Sequence, residues 1–351
     1  MSESLQKFGL VPIFTQRLEY AELIWPQIGR VMSVQRTNHV VICEEGVRIV
    51  ELTPALRQSA AVDRPTVGDW ILLDESLTRI AKVLDRKSLF KRVGAGENTE
   101  LQPIAANVDT LFIVTSCNEE FKESRLERYL ALCAEAGATP VVVLTKTDLA
   151  DDVQTYVERA RSVQAGVPVE TVNALDPATL NGVRAWIDET STVALVGSSG
   201  VGKSTLLNAL AGESLAATNA IREQDQKGRH TTTHRELHRL PTGGLLIDVP
   251  GMRELRVADI EQSIGLVFEE IEQAATQCHF ADCRHESEPG CAVLRAVETG
   301  AIDRRRLDNY RKLLRANTIA TATLAEKRAQ GRGFAKMVKE VKLLKQNKGT
   351  R

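Results

Sequence analysis

The sequence contains no apolar run long enough to cross a bilayer. Runs such as 111–114 and 141–144 cover only a few residues, whereas a spanning helix needs about twenty. The first residues place Glu3 and Lys7 within a short apolar stretch, so they lack the uninterrupted core of a secretory leader. Internal repeats and low-complexity segments are absent as well. We therefore expect a cytoplasmic protein with no membrane association.

An excess of charge of one sign is also missing. The chain carries 45 Lys and Arg residues against 46 Asp and Glu residues, which gives a net charge of -1. Bulk electrostatics thus do not predict a nucleic-acid-binding protein. Basic charge is concentrated locally, because residues 326–351 contain nine basic and two acidic side chains. This basic tail is either a contact for a phosphate backbone or a solvated terminal helix.

Cysteine is scarce and unevenly placed. Of the six cysteines, Cys43, Cys117 and Cys133 are scattered through apolar segments, and we predict that they are core residues in a reducing compartment. The other three lie within a 14-residue window that needs another explanation. With 43% hydrophobic and 26% charged residues, the 351-residue chain has room for two or three ordinary domains.

Residues 1–100 are predicted to form a small β-barrel. Short β segments separated by turn chemistry cover 29–34, 39–43, 47–52, 67–73 and 79–84. An OB-fold is the leading candidate, and an SH3-like barrel would produce much the same pattern. Such barrels often bind RNA, although the fold alone does not establish that function.

Residues 101–255 are predicted to form an α/β domain. Buried strands are expected at 108–114, 141–144, 167–172 and 193–196. One helix is expected to follow the first strand and to end near residue 136, and two further helices are expected over 152–164 and 177–189. This alternation is typical of a parallel sheet with helices on both faces. Strands stop after residue 255, so residues 256–351 are predicted to be helical, beginning with a helix over 260–276.

A phosphate-binding loop is predicted between the strand at 193–196 and a helix that begins at Thr205. The residues that match the pattern are Gly197, Ser198, Ser199, Gly200, Val201, Gly202, Lys203 and Ser204. The glycines allow backbone N–H groups to converge on phosphate oxygens at the helix N-terminus. Lys203 reaches the outer phosphates, and Ser204 offers its hydroxyl to Mg²⁺. The loop alone does not distinguish ATP from GTP.

Further magnesium and phosphate contacts are predicted after the loop. The apolar segment 245–247 ends in Asp248, whose carboxylate can hold Mg²⁺ through water. Gly251 then gives the backbone the freedom to approach the γ-phosphate. In the polar segment 227–233 a threonine hydroxyl would complete the magnesium shell, and we favour Thr232 over its threonine neighbours.

Base recognition is predicted from residues that end two strands. One strand is followed by Thr145, Lys146, Thr147 and Asp148, and the next by Asn173 and Ala174. The Asp148 carboxylate can accept hydrogen bonds from guanine N1–H and the 2-amino group, a donor pair that adenine lacks. Lys146 can pack its stem along the base plane, and Asn173 and Ala174 can direct a backbone N–H towards guanine O6. Combined with the phosphate loop, these residues predict a guanine nucleotide.

The motifs occur in an unusual order. They are the elements of translation-factor-related GTPases, yet Asp148 precedes the phosphate loop, which indicates a circular permutation. With a barrel before them and a Cys/His window after them, nearly the whole chain resembles the ribosome-small-subunit-dependent GTPase A family. The resemblance implies a GTP hydrolase that assists late maturation of the small ribosomal subunit. One residue departs from most GTPases: Thr145 replaces asparagine, keeping a hydroxyl to tie down the phosphate loop but losing the amide.

The group that orients the attacking water is not obvious. Many small GTPases use a glutamine immediately after the Asp-x-x-Gly element, where this chain has Met252, and a thioether cannot orient water. His230 is the candidate within the chain, and a group supplied by the partner is the alternative. We therefore expect slow hydrolysis in isolation and marked stimulation by the small subunit.

The cysteine window predicts a metal site. Three thiolates and one imidazole, from Cys278, Cys283, Cys291 and His285, make a closed tetrahedral set for one structural Zn²⁺. His279, next to Cys278, is the competing imidazole, and the family resemblance favours His285.

The complete prediction is a monomeric cytoplasmic GTPase that uses Mg²⁺ with GTP. Its partners are GTP, GDP and the small (30S) ribosomal subunit with its rRNA, which the barrel and the zinc-binding helical domain would grip. One alternative is a P-loop ATPase, against which Asp148 and Asn173 argue. Another is an RNA-binding module with a degenerate nucleotide site, against which the intact Lys203, Ser204 and Asp248 argue.

Overall fold

The structure, a computed structural model, describes residues 3–16, 18, 27–35, 37–94, 100–212, 235–248 and 260–322.

The first folded unit is a closed five-stranded barrel. The barrel strands are β1 (Ile28–Val34), β2 (His39–Cys43), β3 (Gly46–Leu52), β4 (Trp70–Leu73) and β5 (Arg79–Val83). They follow the order β1-β2-β3-β5-β4, and β4 pairs again with β1. The ring therefore closes, as the OB-fold prediction requires.

The barrel is OB-like in its connections as well. β3 and β5 run parallel, with Glu51 opposite Arg79, and the short helix α2 (Pro54–Gln58) lies between β3 and β4. Inward-facing side chains such as Val31, Val41 and Ile71 are fully buried. The N-terminal segment, with helix α1 (Glu3–Gln6), contributes Leu5 and other apolar side chains to a second cluster around Trp70.

Arg30 of β1 connects three parts of the chain while it is almost completely buried. Its NH2 donates to Thr192 Oγ1 at 2.8 Å, its Nε donates to the Gly68 carbonyl at 3.2 Å, and its NH1 donates to the Phe8 carbonyl. The guanidinium also lies 5.4 Å from the ring centroid of Trp70. Burial lowers the pKa of Arg30 to about 10, so the side chain remains charged near neutrality. It therefore fixes the barrel against the domain that follows.

A hairpin that the sequence analysis does not predict leads out of the barrel. Its strands are β6 (Leu89–Val93) and β7 (Leu101–Ala106), which pair antiparallel. The hairpin straddles residue 100, where the sequence analysis separates the first two domains. Arg235 donates to the carbonyl of Pro103 at 3.1 Å, so the hairpin contacts the central sheet.

The central domain is a mostly parallel sheet with helices on both faces, as predicted. Its strands are β8 (Thr110–Ser116), β9 (Thr139–Thr145), β10 (Val169–Thr171), β11 (Thr192–Val196), β12 (Glu236–Arg239) and β13 (Leu245–Asp248). Its helices are α3 (Glu123–Ala136), α4 (Val153–Val163), α5 (Asn181–Arg184) and α6 (Lys203–Ala211). The strand order is β10-β9-β8-β11-β13-β12, and all neighbours except β12 and β13 are parallel.

The period of two along each strand explains the two cores of this domain. In β8, Ile113 belongs to the cluster that includes Leu130 of α3, whereas Phe112 belongs to the cluster that includes Leu206 of α6. A strand buried on both faces reads as a continuous apolar run, which is the pattern at 111–114. At the far edge β12 pairs with β1, with Ser33 opposite Glu236, so the sheet continues into the barrel.

Two predicted helices differ from the structure, one in its length and one in its continuity. The helix expected over 177–189 is a 3-10 turn (Pro177–Leu180) followed by α5, which ends at Arg184. Asp188 Oδ1 instead accepts the backbone N–H groups of Thr190 and Ser191, which favours a turn over a further helical turn.

The helix expected over 260–276 is divided into α7 (Glu261–Val267) and α8 (Glu269–Ala275). Phe268 interrupts it with φ -115° and ψ 43°. The Val267 carbonyl accepts a bond of 3.0 Å from Arg306 NH2, and the same guanidinium lies 4.9 Å from the centroid of Phe268. The interruption is therefore stabilised by a long-range contact.

The C-terminal unit is helical, with α7 and α8 followed by α9 (Ala292–Glu298) and α10 (304–322). Side chains of all four helices join the core that covers one face of the central sheet. Within the described ranges, no helix combines the length and the apolar composition needed to cross a membrane. The basic tail at 326–351 lies outside the described residues.

Candidate functional site

The predicted nucleotide motifs lie at one edge of the central sheet. The strands β8, β9, β10, β11 and β13 are parallel, so their carboxyl ends meet at this edge. Open α/β sheets bind their ligands outside the carboxyl ends of the strands. The edge is formed by the ends of β9 and β10, with the base-recognition residues, and by the ends of β11 and β13.

The phosphate loop connects β11 to α6 in the conformation that its glycines permit. Gly197 has φ +152° and Gly202 has φ +94°. A Cβ atom on Gly197 would lie 2.1 Å from the carbonyl oxygen of Val114, a distance that no real side chain adopts. The loop thus packs directly on β8, and Gly197 is required there for steric reasons as well as for its dihedral angle.

Lys203 begins α6 and bends back over the loop. Its Nζ donates to the carbonyl of Gly197 at 2.8 Å and to the carbonyl of Ser198. The next two side chains, Ser204 and Thr205, are exposed on the first helical turn. A lysine ammonium and a hydroxyl therefore stand together at a helix N-terminus, which is a favourable place for an anion.

Thr145 brings the base-recognition strand into contact with the phosphate loop. Its Oγ1 lies 2.5 Å from the carbonyl oxygen of Val201 and 3.2 Å from that of Thr115, and the side chain is buried. A single hydroxyl hydrogen serves one acceptor at a time, and the shorter distance favours Val201. Threonine in place of asparagine therefore provides a hydroxyl tether between segments 56 residues apart.

The remaining base-recognition residues surround the same edge. Lys146 adopts a left-handed conformation with φ +56°, and Asp148 is exposed on the short 3-10 turn that follows. The N–H of Asn173 donates to Thr179 Oγ1 at 3.1 Å, so it is already engaged. The N–H of Ala174 is thus the better candidate for a contact with guanine O6.

Some predicted residues fall outside the described part of the chain. Thr232, His230 and Gly251 lie in ranges that the structure does not describe. Asp248 is the last residue of β13, where its backbone lies opposite Glu236 of β12.

One polar bridge beside the phosphate loop is not predicted from the sequence. Arg125 of α3 donates from NH1 to Ser198 Oγ at 2.9 Å and to Glu120 Oε2 at 2.8 Å. The hydrogen bond from Arg125 lowers the pKa of Glu120, with a smaller contribution from the charge of Lys146. Arg125 therefore joins Glu120, in the loop that precedes α3, to the phosphate loop. No local spacing reveals this bridge, because Arg125 and Ser198 are 73 residues apart.

The Cys/His window forms a compact candidate metal centre. The donor atoms of Cys278, Cys283, His285 and Cys291 all lie within 4.8 Å of one another. The Sγ atoms of Cys278 and Cys291 are 3.9 Å apart, and His285 Nδ1 lies 3.6 Å and 3.5 Å from them, respectively. A tetrahedral zinc ion with bonds of about 2.3 Å to sulfur and about 2.0 Å to nitrogen would place two sulfur atoms about 3.8 Å apart, and sulfur and nitrogen about 3.6 Å apart. The donor set therefore fits zinc.

The loop around His285 is shaped by backbone hydrogen bonds. Glu288 accepts hydrogen bonds from the backbone N–H groups of Arg284 at 2.9 Å and of Glu286 at 2.7 Å. Its pKa is lowered to about 2, mainly by the N–H of Arg284 and by its own backbone N–H. His285 itself has φ +59°. His279, the competing imidazole, is not among the grouped donors and packs edge-on against Phe280 instead. The structure therefore selects His285.

Comparison with known proteins identifies the family. The family model for RsgA GTPase matches residues 83–258. The chain is 45% identical to the small ribosomal subunit biogenesis GTPase RsgA 2 of Vibrio parahaemolyticus over 97% of its own length and 93% of that protein. It is 44% identical to RsgA of Mesorhizobium japonicum, with 89% of each chain covered. The chain belongs to the RsgA GTPase family.

Solved structures support the fold of this family member. The crystal structure of YjeQ from Thermotoga maritima is similar with a TM-score of 0.60 and 27% identity, covering 82% of this chain and 96% of that one. YloQ, described as a circularly permuted GTPase, has a TM-score of 0.57 and 25% identity, with 85% and 97% covered. The strand order and the early position of the base-recognition residues agree with a circularly permuted fold of the RsgA family.

Proposed function

We propose that the chain is a cytoplasmic GTPase that assists late maturation of the small ribosomal subunit and hydrolyses GTP to time its own release. The main support for GTP binding is the contact between Thr145 Oγ1 and the Val201 carbonyl. It joins the base-recognition segment to the phosphate loop at the ligand-binding edge of the sheet. The ribosomal part is supported by the relatives, whose names place them in small-subunit biogenesis.

The residues at each strand end contact a different part of GTP. Asp148 accepts the guanine donors, Lys146 packs on the base, and the Ala174 N–H donates to O6. The backbone N–H groups of the loop and the Lys203 ammonium hold the phosphates. To do so, Lys203 replaces its hydrogen bonds to the Gly197 and Ser198 carbonyls by contacts with phosphate oxygens. Magnesium, which GTPases use with the nucleotide, would be held by Ser204, Thr232 and, through water, Asp248.

Hydrolysis transfers the γ-phosphoryl group to water. The water oxygen bonds to the γ-phosphorus, the bond to the β–γ bridging oxygen breaks, and GDP and phosphate leave. Lys203 stabilises charge on the phosphate oxygens. His230 orients the water, because position 252 holds methionine where many small GTPases have glutamine. Turnover is slow in the free protein, and binding to the small subunit increases it.

The C-terminal unit would hold one zinc ion through Cys278, Cys283, His285 and Cys291. With four protein ligands and no open position, the ion serves the fold and not the chemistry. Together with the barrel, this unit would contact ribosomal RNA, and the basic tail at 326–351 would add phosphate contacts.

The test is GTP turnover by the purified chain with and without isolated small ribosomal subunits, with ATP in parallel. We expect turnover of GTP but not ATP, a large increase with subunits, and loss of activity in Lys203→Ala. Equal slow rates with and without subunits would contradict the ribosomal part alone. Comparable turnover of ATP would contradict base selection by Asp148 and favour a P-loop ATPase.

A further inference from the structure

Helix α3 touches both the phosphate loop and the C-terminal helices through side chains that are close in sequence. Arg125, in its first turn, binds Ser198 Oγ in the phosphate loop at 2.9 Å. Two residues further, the carboxylate of Glu127 has no exposed surface and accepts from Arg305 of α10 at 3.0 Å. One helical turn therefore faces two distant parts of the molecule.

Asn309 of α10 makes this contact more specific. Its Nδ2 donates to Glu127 Oε2 and to the backbone carbonyl of Ser124 at 3.4 Å, and the residue is only 8% exposed. Ser124 directly precedes Arg125, so Asn309 holds the backbone of the turn from which Arg125 reaches the phosphate loop. A shift of α10 would move this turn and with it the hydrogen bond to Ser198.

The rest of α3 has the rigidity that such a connection requires. Leu126 and Leu130 are buried in the core against the central sheet. At the opposite end of the helix, Glu135 accepts a hydrogen bond of 3.1 Å from Ser263 of α7. The helix is therefore fixed to the C-terminal unit at both ends and packs along the sheet between them.

We infer that α3 couples the phosphate loop to the C-terminal helices, with Arg125 and Asn309 as positioning residues. This inference rests on the proposed function, because it assumes that the loop binds a guanine nucleotide. Coupling between two sites is reciprocal. A partner that binds the C-terminal unit and shifts α10 changes the affinity for the nucleotide, and the bound nucleotide changes the affinity for that partner by the same free energy. The connection is noncovalent and separate from the chain segment between β13 and α7.

A double-mutant cycle on the full chain tests the coupling. The dissociation constants of fluorescently labelled GDP and of a non-hydrolysable GTP analogue are measured for the wild type, Asn309→Ala, Arg125→Ala and the double variant. Each single substitution is expected to weaken binding about fivefold, and the double variant no more than the weaker-binding single one. The missing fivefold factor corresponds to a coupling free energy of about 1 kcal/mol.

The controls separate positioning from general stability. Arg315 lies on α10 with Asn309 and pairs with Glu286 of the loop that follows His285. Arg315→Ala removes this exposed ion pair, and it should leave nucleotide affinity unchanged. Arg125→Lys keeps a charged donor near Ser198 and should recover part of the affinity. If Asn309→Ala does not fold, Arg305→Ala replaces it, since Arg305 is 41% exposed and still binds Glu127.

The outcomes distinguish this inference from the function on which it rests. A double variant whose loss equals the product of the two single losses would overturn the coupling while leaving the GTPase intact. An effect of Arg315→Ala as large as that of Asn309→Ala would also overturn it. Failure of the wild type to bind either nucleotide would overturn the proposed function, and the coupling with it.

Discussion

Arg306 on α10 lies 3.2 Å from the fully buried carboxylate of Glu127 on α3, so an ion pair joins the C-terminal unit to the central domain. The same guanidinium donates to the Val163 carbonyl at 2.8 Å and pairs with Glu270. One arginine therefore binds groups at the end of α4, on α3 and on α8. A carboxylate without solvent contact has lost its hydration, and such hydrogen-bonded partners offset that cost.

We expect Arg306→Ala to lower the free energy of unfolding by about 3 kcal/mol, since it leaves a buried charge and two backbone carbonyls with fewer donors. Urea titration followed by circular dichroism measures the change. Arg304→Ala is the matched control, because Arg304 pairs with Asp308 at the exposed surface and should contribute less than about 1 kcal/mol. Equal midpoints for the two variants would contradict the prediction.

Thr145→Val should weaken GDP binding about tenfold. The substitution keeps the volume of the side chain but removes the hydroxyl that binds the Val201 carbonyl, and an unsatisfied buried carbonyl costs about 1 to 3 kcal/mol. Titration with fluorescently labelled GDP measures the loss. Thr145→Ser retains the hydroxyl and should bind nearly as well as the wild type; a similar loss in both variants would show that the methyl group matters instead.

Metal analysis of the purified chain should find one zinc ion per molecule. Cys291→Ser should lose the ion and reduce the thermal stability of the C-terminal unit, because the ion holds loops that have little core of their own. Cys43→Ala, which changes a buried cysteine of the barrel outside the cluster, should retain full zinc content. Retention of zinc by Cys291→Ser would remove this cysteine from the ligand set.

The stability of the barrel should fall in mild acid because of His39. Burial lowers the pKa of His39 to about 4, whereas in the unfolded chain it is about 6.5. The unfolded state therefore binds a proton first as the pH falls, and folding loses stability between about pH 6.5 and pH 4, by about 3 kcal/mol in total. Unfolding of the wild type and of His39→Gln across this range tests the effect. The difference between the two profiles should shrink above pH 7, and parallel profiles would exclude His39 as the cause.

Much of this fold follows from local sequence patterns. The five barrel strands are predicted to within a few residues because alternating side chains are separated by turn residues. The two-sided burial of β8 and β9 follows from their continuous apolar runs. The choice of an OB-like barrel needs the structure, since the pairing of β3 with β5 joins segments that have no local relationship.

The failures share a physical cause, which is that long-range contacts override local preference. Strand β12 has three polar residues among its four and is a strand because it lies between β13 and β1. The break at Phe268 is stabilised by the hydrogen bond from Arg306 to the Val267 carbonyl, which joins residues 39 positions apart. Of the site, the phosphate loop and the three cysteines of the candidate metal centre follow from spacing, whereas spacing leaves His279 and His285 as alternatives. The bridge from Arg125 to Ser198 depends on tertiary packing.

The permuted strand order also determines the sequence in which the domain is synthesised. Strand β8 and the base-recognition strands β9 and β10 are consecutive in the chain and complete at Thr171, whereas β13 ends 77 residues later. At about 5 to 20 residues per second, the ribosome exposes the first half of the sheet roughly 4 to 15 s before the second. A nascent chain can thus form the β10-β9-β8 layer with its crossover helices before any phosphate loop exists. The phosphate loop at 197–204 is therefore synthesised after these three strands, the reverse of the order in an unpermuted GTPase.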